Sequence, residues 1–260
     1  MIDIVYFVKD GDENEELKYS LRSLKNFLPN EDKRVIFYGG CPKDLQPDLH
    51  IKVWQHSGSK YGNVHSMYEE LAQNLRIKKE FYMFNDDFFV MKKINEWKPQ
   101  HNGSLEDYIE RVEKTSFLSS YTMRLRRTWG IMRDKGETLK NFELHIPMKY
   151  NRIQLREILK EYKGMNGVRS QYGNRFYHES EDRKDVKIFS NTQTFNKQTD
   201  YLSTSDESWK SNAVGEYVRN KFKTPSKYER IQNERQNNGI IQSTKSTTQR
   251  THQKREIQRI

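Results

Sequence analysis

The sequence predicts an α/β fold with a largely parallel central sheet. Short apolar runs over residues 2–8, 34–40 and 49–56 alternate with amphipathic segments over 13–28 and 64–76. Strands that alternate with helices in this way are typical of parallel sheets covered by helices. The composition agrees, because 33% hydrophobic residues supply one core while 32% charged residues keep the surface hydrated.

The first amphipathic segment is predicted to be a helix from its leucine spacing. Leu17, Leu21, Leu24 and Leu28 recur at intervals of four, three and four, which places them on one helical face. Acidic residues precede the segment and Pro29 follows it. Both are boundary signals, since acids favour a helix N-terminus and proline cannot continue a helix.

Later elements follow from similar patterns. The stretch FYMFNDDFFVM over 81–91 indicates a fourth strand, a break and a continuation. An amphipathic helix is predicted within 145–162, and a last helix over 205–222 with Ser205 as its N-cap. Residues 1–230 are therefore predicted to form one domain, and the polar, basic residues 231–260 a disordered tail.

The net charge, the single cysteine and the patterns of signal and membrane segments restrict the classes of function that the sequence predicts. The chain of 260 residues has a formal net charge of +10, which suggests phosphate-bearing partners or simply high solubility. Its single cysteine, Cys41, excludes an intrachain disulfide and a cysteine-based zinc site. The N-terminus lacks the pattern of a secretory signal and no apolar run reaches about 20 residues. We therefore expect a cytoplasmic protein without a membrane span.

The acid pair Asp86 and Asp87 is the main candidate for chemistry. Acids are depleted from strands, and a buried charge is costly unless it is paired or bound to a metal. At a strand end these carboxylates could bind Mg²⁺ or Mn²⁺ together with a nucleotide diphosphate. The alternative is an Asx turn with one solvated acid. The apolar flanks on both sides favour the metal site.

Three further residues are weaker candidates. Asp10 follows the first strand and could contact the base or ribose of a nucleotide, although Asp-Gly is also a common turn. His145 could act as a general base on a hydroxyl. Arg175 could bind phosphate through two hydrogen bonds. The basic cluster Arg124, Arg126, Arg127 and Arg133 would equally suit a nucleic-acid surface, but no nucleic-acid-binding motif accompanies it.

Several segments together resemble the conserved regions of the Stealth family of sugar-1-phosphate transferases. They are, in chain order, IDIVYFVKDG, NEELKYSLRSLKNFLP, FYMFNDDFFV, HIPMKYNRIQLREI and GNRF. The resemblance covers residues 2–95 and, more loosely, 143–180. It departs from the family in HSGSKYGNVHSMYEEL, the stretch before the acid pair. That region contributes to the acceptor side of the family's site.

The resemblance implies a GT-A-like, Rossmann-like nucleotide-sugar fold and a role for each matching residue. Asp10 and Gly11 would line the donor site, with Arg22 close to it. Asn85, Asp86 and Asp87 would hold the metal and the diphosphate. His145 would be the base or a phosphate ligand, and Arg175 a phosphate clamp.

The predicted function is a metal-assisted, nucleotide-sugar-dependent transferase that moves a hexose-1-phosphate to the hydroxyl of a glycan or other acceptor. A glycosyltransferase that transfers the sugar itself is the close alternative, because a shared fold does not fix the chemistry. A basic nucleic-acid-binding protein is the alternative from another class. It leaves the two acids unexplained, since acids repel phosphate.

Overall fold

The computed structural model describes residues 1–55, 60–115, 120–136, 139–190, 192–210 and 213–230. The predicted tail, 231–260, lies outside the described residues. Residues Met1–Arg230 form one compact unit, and their assignment as a single transferase domain stays a prediction.

The elements are numbered in chain order. The strands are β1 (Ile2–Val8), β2 (Lys33–Gly39), β3 (Leu49–Ile51), β4 (Glu80–Asn85), β5 (Phe88–Val90), β6 (Gln100–His101), β7 (Met148–Asn151), β8 (Glu181–Asp182), β9 (Lys187–Ile188) and β10 (Tyr201–Thr204). The helices are α1 (Glu15–Ser23), α2 (Lys60–Gln73), α3 (Leu105–Thr115), α4 (Ser120–Asp134), α5 (Arg152–Glu161), α6 (Val168–Phe176), α7 (Asp206–Lys210) and α8 (Val214–Lys221).

The main sheet is mixed and largely parallel, which confirms the predicted fold class. Its strand order is β3-β2-β1-β4-β7. The first four strands are parallel, and β7 pairs antiparallel with β4. Strands β1 and β4 are neighbours, with Phe7 beside Asn85. The segments that follow these two strands therefore leave the sheet at the same edge.

Alternation along β1 divides the core into two layers. Tyr6 and Val8 pack with Leu17 and Leu21 of α1 on one face. Val5 faces the other side, where the core includes residues of α2, α5 and α6. Successive strand residues point to opposite faces, so burial on both faces requires the nearly continuous apolar runs seen in the sequence.

A small second sheet adjoins the acid pair. Its order is β5-β10-β9, with β5 antiparallel and β9 parallel to β10. Asp86 and Asp87 connect β4 of the main sheet to β5 of this sheet. The stretch over 81–91 is thus two strands in different sheets rather than one interrupted strand. Phe89 stacks on Trp209, with ring centroids 5.5 Å apart, and this contact fixes β5 against α7.

Two predicted helices are divided in the structure. The segment predicted as helix 13–28 contains α1 and a 3-10 turn, Leu24–Asn26. Leu28 then adopts a φ of +42°, in the left-handed region, so the right-handed helix cannot continue through it. Its side chain remains buried. The region predicted as helix 205–222 contains α7 and α8. Gly215 lies against the carbonyl of Trp209, where an added Cβ would come within 2.0 Å of the oxygen.

Candidate active site at the carboxyl edge of the sheet

Asn14 links Asp86 to the start of α1. Its side-chain Oδ1 accepts the Leu17 N–H at 2.9 Å and so caps the helix. Its Nδ2 donates to Asp86 Oδ2 at 2.7 Å. A capping residue satisfies helix N–H groups that otherwise lack partners. The same side chain therefore orders the helix N-terminus and fixes one oxygen of the first acid.

Asp87 is held by the second sheet. Its Oδ2 accepts from the Ser203 hydroxyl at 2.9 Å and also from the Lys187 ammonium. That ammonium donates in addition to the Thr204 carbonyl. The Asp87 and Lys187 side chains are each 12% exposed, so the pair is largely desolvated. Asp87 is thus paired with the cationic side chain of Lys187, whereas the side chain hydrogen-bonded to Asp86 is the neutral amide of Asn14.

Glu16, in the first turn of α1, is a third carboxylate in the same electrostatic environment. Its Oε1 accepts from the Thr204 hydroxyl at 2.6 Å. Burial, followed by the charges of Asp87 and Asp86, raises the pKa of Glu16 to about 7. Burial and then the Asp87 carboxylate also raise the pKa of Asp86. The site therefore holds more negative charge than its own cations neutralise.

We expect Glu16→Gln to gain stability relative to wild type as the pH rises from 5 to 8. A raised carboxyl pKa means that the folded state keeps a proton that the unfolded state releases above about 4.3. The wild type therefore loses stability up to the folded pKa of about 7. Glutamine cannot titrate, so the difference between the two proteins should grow by about 1–3 kcal/mol over this range.

Urea unfolding at a series of pH values, in buffer with a chelator, measures this difference. Glu13→Gln is the matched control, because Glu13 is an exposed acid in the same segment. Its stability relative to wild type should not change with pH. The prediction would be contradicted if the stability of Glu16→Gln relative to wild type also stayed constant as the pH changed.

His145 is oriented by Asp185, a residue that the sequence did not single out. Its Nδ1 lies 2.8 Å from Asp185 Oδ2, and its backbone N–H donates to Asp185 Oδ1 at 3.0 Å. Burial raises the pKa of Asp185, but the hydrogen bonds and charge of His145 lower it by more, leaving it below its usual value. A carboxylate on Nδ1 leaves Nε2 as the nitrogen able to accept a proton.

The His145 pair and the acid pair are close in the second sheet. Asp185 lies two residues before Lys187, the first residue of β9. The His145 ring lies edge-on to Phe88, the residue after Asp87, with centroids 6.3 Å apart. Strand β7 runs antiparallel to β4 with Met148 opposite Met83, so His145 and the acid pair lie at the same edge of the main sheet.

The predicted donor-site residues after β1 lie at the same edge of the main sheet. Asp10 is exposed, and its backbone N–H lies 3.4 Å from Gln55 Oε1. Gly11 is also exposed and would accept a Cβ without a close contact. The constrained glycines at this edge are Gly39 and Gly40, where an added Cβ would come within 2.4 Å of the Val8 and Lys9 carbonyl oxygens, respectively. Asn85 ends β4 as an exposed residue.

Arg22 lies away from this edge. It is eight residues beyond Asn14, on the order of 12 Å along the helix axis. Its Nε and Nη2 donate to both carboxylate oxygens of Glu229, at 2.8 and 2.6 Å. It also lines a cavity of about 310 Å³ beside Lys33, the first residue of β2. These contacts give Arg22 a structural role and do not bring it together with Asp86.

Arg175 is likewise paired elsewhere. It lies on α6 and donates to Glu161 Oε2 at 3.0 Å, and Glu161 also binds Lys135. Arg169 contacts the chain next to His145, since it donates to the carbonyls of Phe142 and Ile146 at 3.1 and 2.7 Å. The contacts therefore lend no support to a phosphate clamp at Arg175.

Four residues that define this site were not predicted from the sequence, namely Asn14, Glu16, Asp185 and Lys187. A signal existed for the first two, since Asn followed by Glu-Glu is a helix-start pattern. No comparable signal marked Asp185 or Lys187. They lie just before and within a two-residue strand, which is too short for any periodicity to appear.

A divalent cation fits Asp86 better than Asp87. Asp86 offers a carboxylate with raised pKa and one amide partner, whereas Asp87 already binds an ammonium and a hydroxyl. Among the described residues, no three His, Cys, Asp or Glu side chains form a metal-binding group. A hard cation at Asp86 would therefore take further oxygen ligands from water or from substrate phosphates.

The α4 arginine cluster is partly neutralised. Arg126 pairs with Glu113, and Arg133 lies 3.7 Å from Asp134 and over the Trp129 ring.

Within the described parts of the chain, no helix is both long enough and apolar enough to cross a membrane.

The chain is similar to known proteins in structure but not in sequence. No family model matches the chain, and no curated protein matches it by sequence. Membership of the Stealth family therefore stays a prediction. Among solved structures, the chain is similar to the galactosyltransferase LgtC in complex with donor and acceptor sugar analogs. The TM-score is 0.49 and the identity 11%, over 86% of this chain and 96% of that one.

A second similar structure is an active-site mutant of LgtC, with a TM-score of 0.49 and 12% identity. This match covers 85% of the present chain and 95% of the other. Fold similarity at this level leaves the chemistry open.

Proposed function

We propose that the chain is a nucleotide-sugar-dependent transferase that moves a sugar to an acceptor hydroxyl. The main support is the polar cluster at the carboxyl edge of the sheet. There, Asp86 with its raised pKa lies next to the Lys187-bound Asp87, and the His145–Asp185 pair lies beside them. Ligands of open α/β sheets bind beyond the carboxyl ends of the strands, which is where this cluster lies.

Each residue has a role that its contacts support. Asp86 would hold Mg²⁺ or Mn²⁺, and Asn14 fixes its carboxylate in place. A cation bound there supplies positive charge for the diphosphate of the donor. His145 Nε2 would accept the proton of the acceptor hydroxyl, while Asp185 holds the ring and stabilises its protonated form. Asp10, Gly11 and Asn85 lie at the same edge and would line the donor site.

The contacts favour transfer of the sugar itself. In that reaction the acceptor oxygen bonds to the anomeric carbon, the bond from that carbon to the diphosphate breaks, and nucleoside diphosphate leaves. Phosphoryl transfer spreads charge over the moving group and depends on cationic side chains or metals. The predicted clamp Arg175 donates to Glu161 of α5.

Hexose-1-phosphate transfer is the second candidate, and Lys187 is the observation that favours it. Its ammonium lies within the acid cluster, and two of its three N–H donors contact Asp87 and Thr204 in the described part of the chain. The remaining N–H could stabilise a phosphoryl oxygen. This reaction releases nucleoside monophosphate rather than diphosphate.

Thermal unfolding with a panel of UDP-, GDP- and ADP-linked sugars, with and without Mn²⁺, tests the proposal. We expect one donor to raise the melting temperature in the presence of Mn²⁺. A ligand at 100 times its Kd contributes about 2.7 kcal/mol, which is several degrees for a domain of this size. The nucleotide released from that donor then separates the two reactions. A panel without any shift would contradict the proposal.

A further inference from the structure

Phe189 forms an exposed aromatic surface beside the candidate base. It is 59% exposed and is one of six large hydrophobic residues in the described chain that are exposed. Its ring meets the His145 ring edge-on, with centroids 6.2 Å apart and an interplanar angle of 88°. Scattered exposed hydrophobic residues are normal on protein surfaces. Phe189 differs from such residues because it contacts a predicted functional group.

The backbone of Phe189 is fixed on both sides. Its N–H donates to Gln193 Oε1 at 2.9 Å, and its carbonyl accepts from the Ser205 hydroxyl at 2.6 Å. The preceding residue, Ile188, is 5% exposed and pairs with Thr204 in the second sheet. The ring is therefore presented from an ordered strand end. His145 beside it is equally fixed, by Asp185.

We propose that Phe189 is the acceptor platform of the site and that the acceptor is a pyranose sugar. This inference rests on the proposed function. One face of a pyranose ring carries only C–H groups, and an aromatic face with its negative quadrupole attracts them. A sugar packed on Phe189 brings a hydroxyl to His145.

Saturation-transfer NMR with three methyl hexopyranosides tests this inference, with mannitol as an acyclic polyol of similar hydroxyl content. The wild type should transfer saturation to the pyranoside C–H protons and much less to mannitol. Phe189→Ala should weaken pyranoside binding about tenfold, since the ring face is lost. Phe189→Trp should retain binding. Leu75→Ala is the control, because Leu75 is 84% exposed and precedes β4 at the opposite edge.

The outcomes separate this inference from the proposed function. Donor-dependent thermal shifts are measured on the same proteins and should be equal in wild type and Phe189→Ala. Pyranoside binding that survives in Phe189→Ala would overturn the inference, as would equal binding of mannitol or no binding of any pyranoside. Binding that depends on Phe189 without any donor shift would support a sugar site and count against the transferase.

Discussion

Asp86→Asn should abolish Mn²⁺-dependent donor binding while leaving the metal-free protein at least as stable as wild type. Asparagine has the same shape, so the bond from Asn14 can persist. The substitution removes a charge whose burial and whose repulsion by Asp87 are unfavourable. On the proposed function it also removes the carboxylate that would hold the cation. We expect transfer to fall by a factor on the order of 10³.

Two measurements on one preparation test the Asp86 prediction. Urea unfolding in a chelator gives the stability of the metal-free protein, and thermal unfolding with Mn²⁺ and donor gives binding. Asp12→Asn is the matched control, since Asp12 is 73% exposed and pairs only at the surface with Lys43. The Asp86 prediction is wrong if Asp86→Asn keeps the wild-type thermal shift with Mn²⁺ and donor. Loss of the shift together with a large loss of stability would indicate a structural role instead.

Lys187→Met should destabilise the protein by roughly 3–5 kcal/mol. Lys187 is the cationic partner of Asp87 in a pair in which each side chain is only 12% exposed. Removing one member of a buried ion pair leaves an uncompensated charge in a poorly solvated position. The Thr204 carbonyl also loses its donor. A surface pair offers the contrast, and Lys43→Met should change stability by less than about 1 kcal/mol.

A double-mutant cycle identifies the cause of this loss. Lys187→Met combined with Asp87→Asn removes both charges and should recover much of the stability. Mn²⁺ should stabilise Lys187→Met more than wild type, because the cation replaces the missing positive charge. Urea unfolding with and without Mn²⁺ gives both quantities. A loss of stability that is the same in the single and double variants would show that packing, and not charge, was lost.

The position of the acid pair was predictable because it depends on local patterns. Short apolar runs indicated the strands, leucines with helical spacing indicated α1, and their alternation indicated the parallel sheet. In a parallel sheet the residues after neighbouring strands share one edge. The positions of Asp10 and Asp86 at that edge therefore followed from sequence order once β1 and β4 were neighbours.

The roles of the arginines were not predictable, because an arginine binds whichever carboxylate the fold brings to it. Arg22 meets Glu229, 207 residues later in the chain, and Arg175 meets Glu161 across two helices. A motif match gives the residue type and its neighbours in sequence. It does not give the partner in space.

The sequence by itself determined the α/β class, the mixed and largely parallel sheet, and the place where two acids interrupt a buried segment. Only the tertiary structure decided that these acids are unequal. Lys187 reaches Asp87 from 100 positions away, and Asp185 reaches His145 from 40. The reason is physical: burial and charge pairing depend on contacts between segments that are distant in sequence, and these contacts form only when the segments of both sheets pack together in the folded chain.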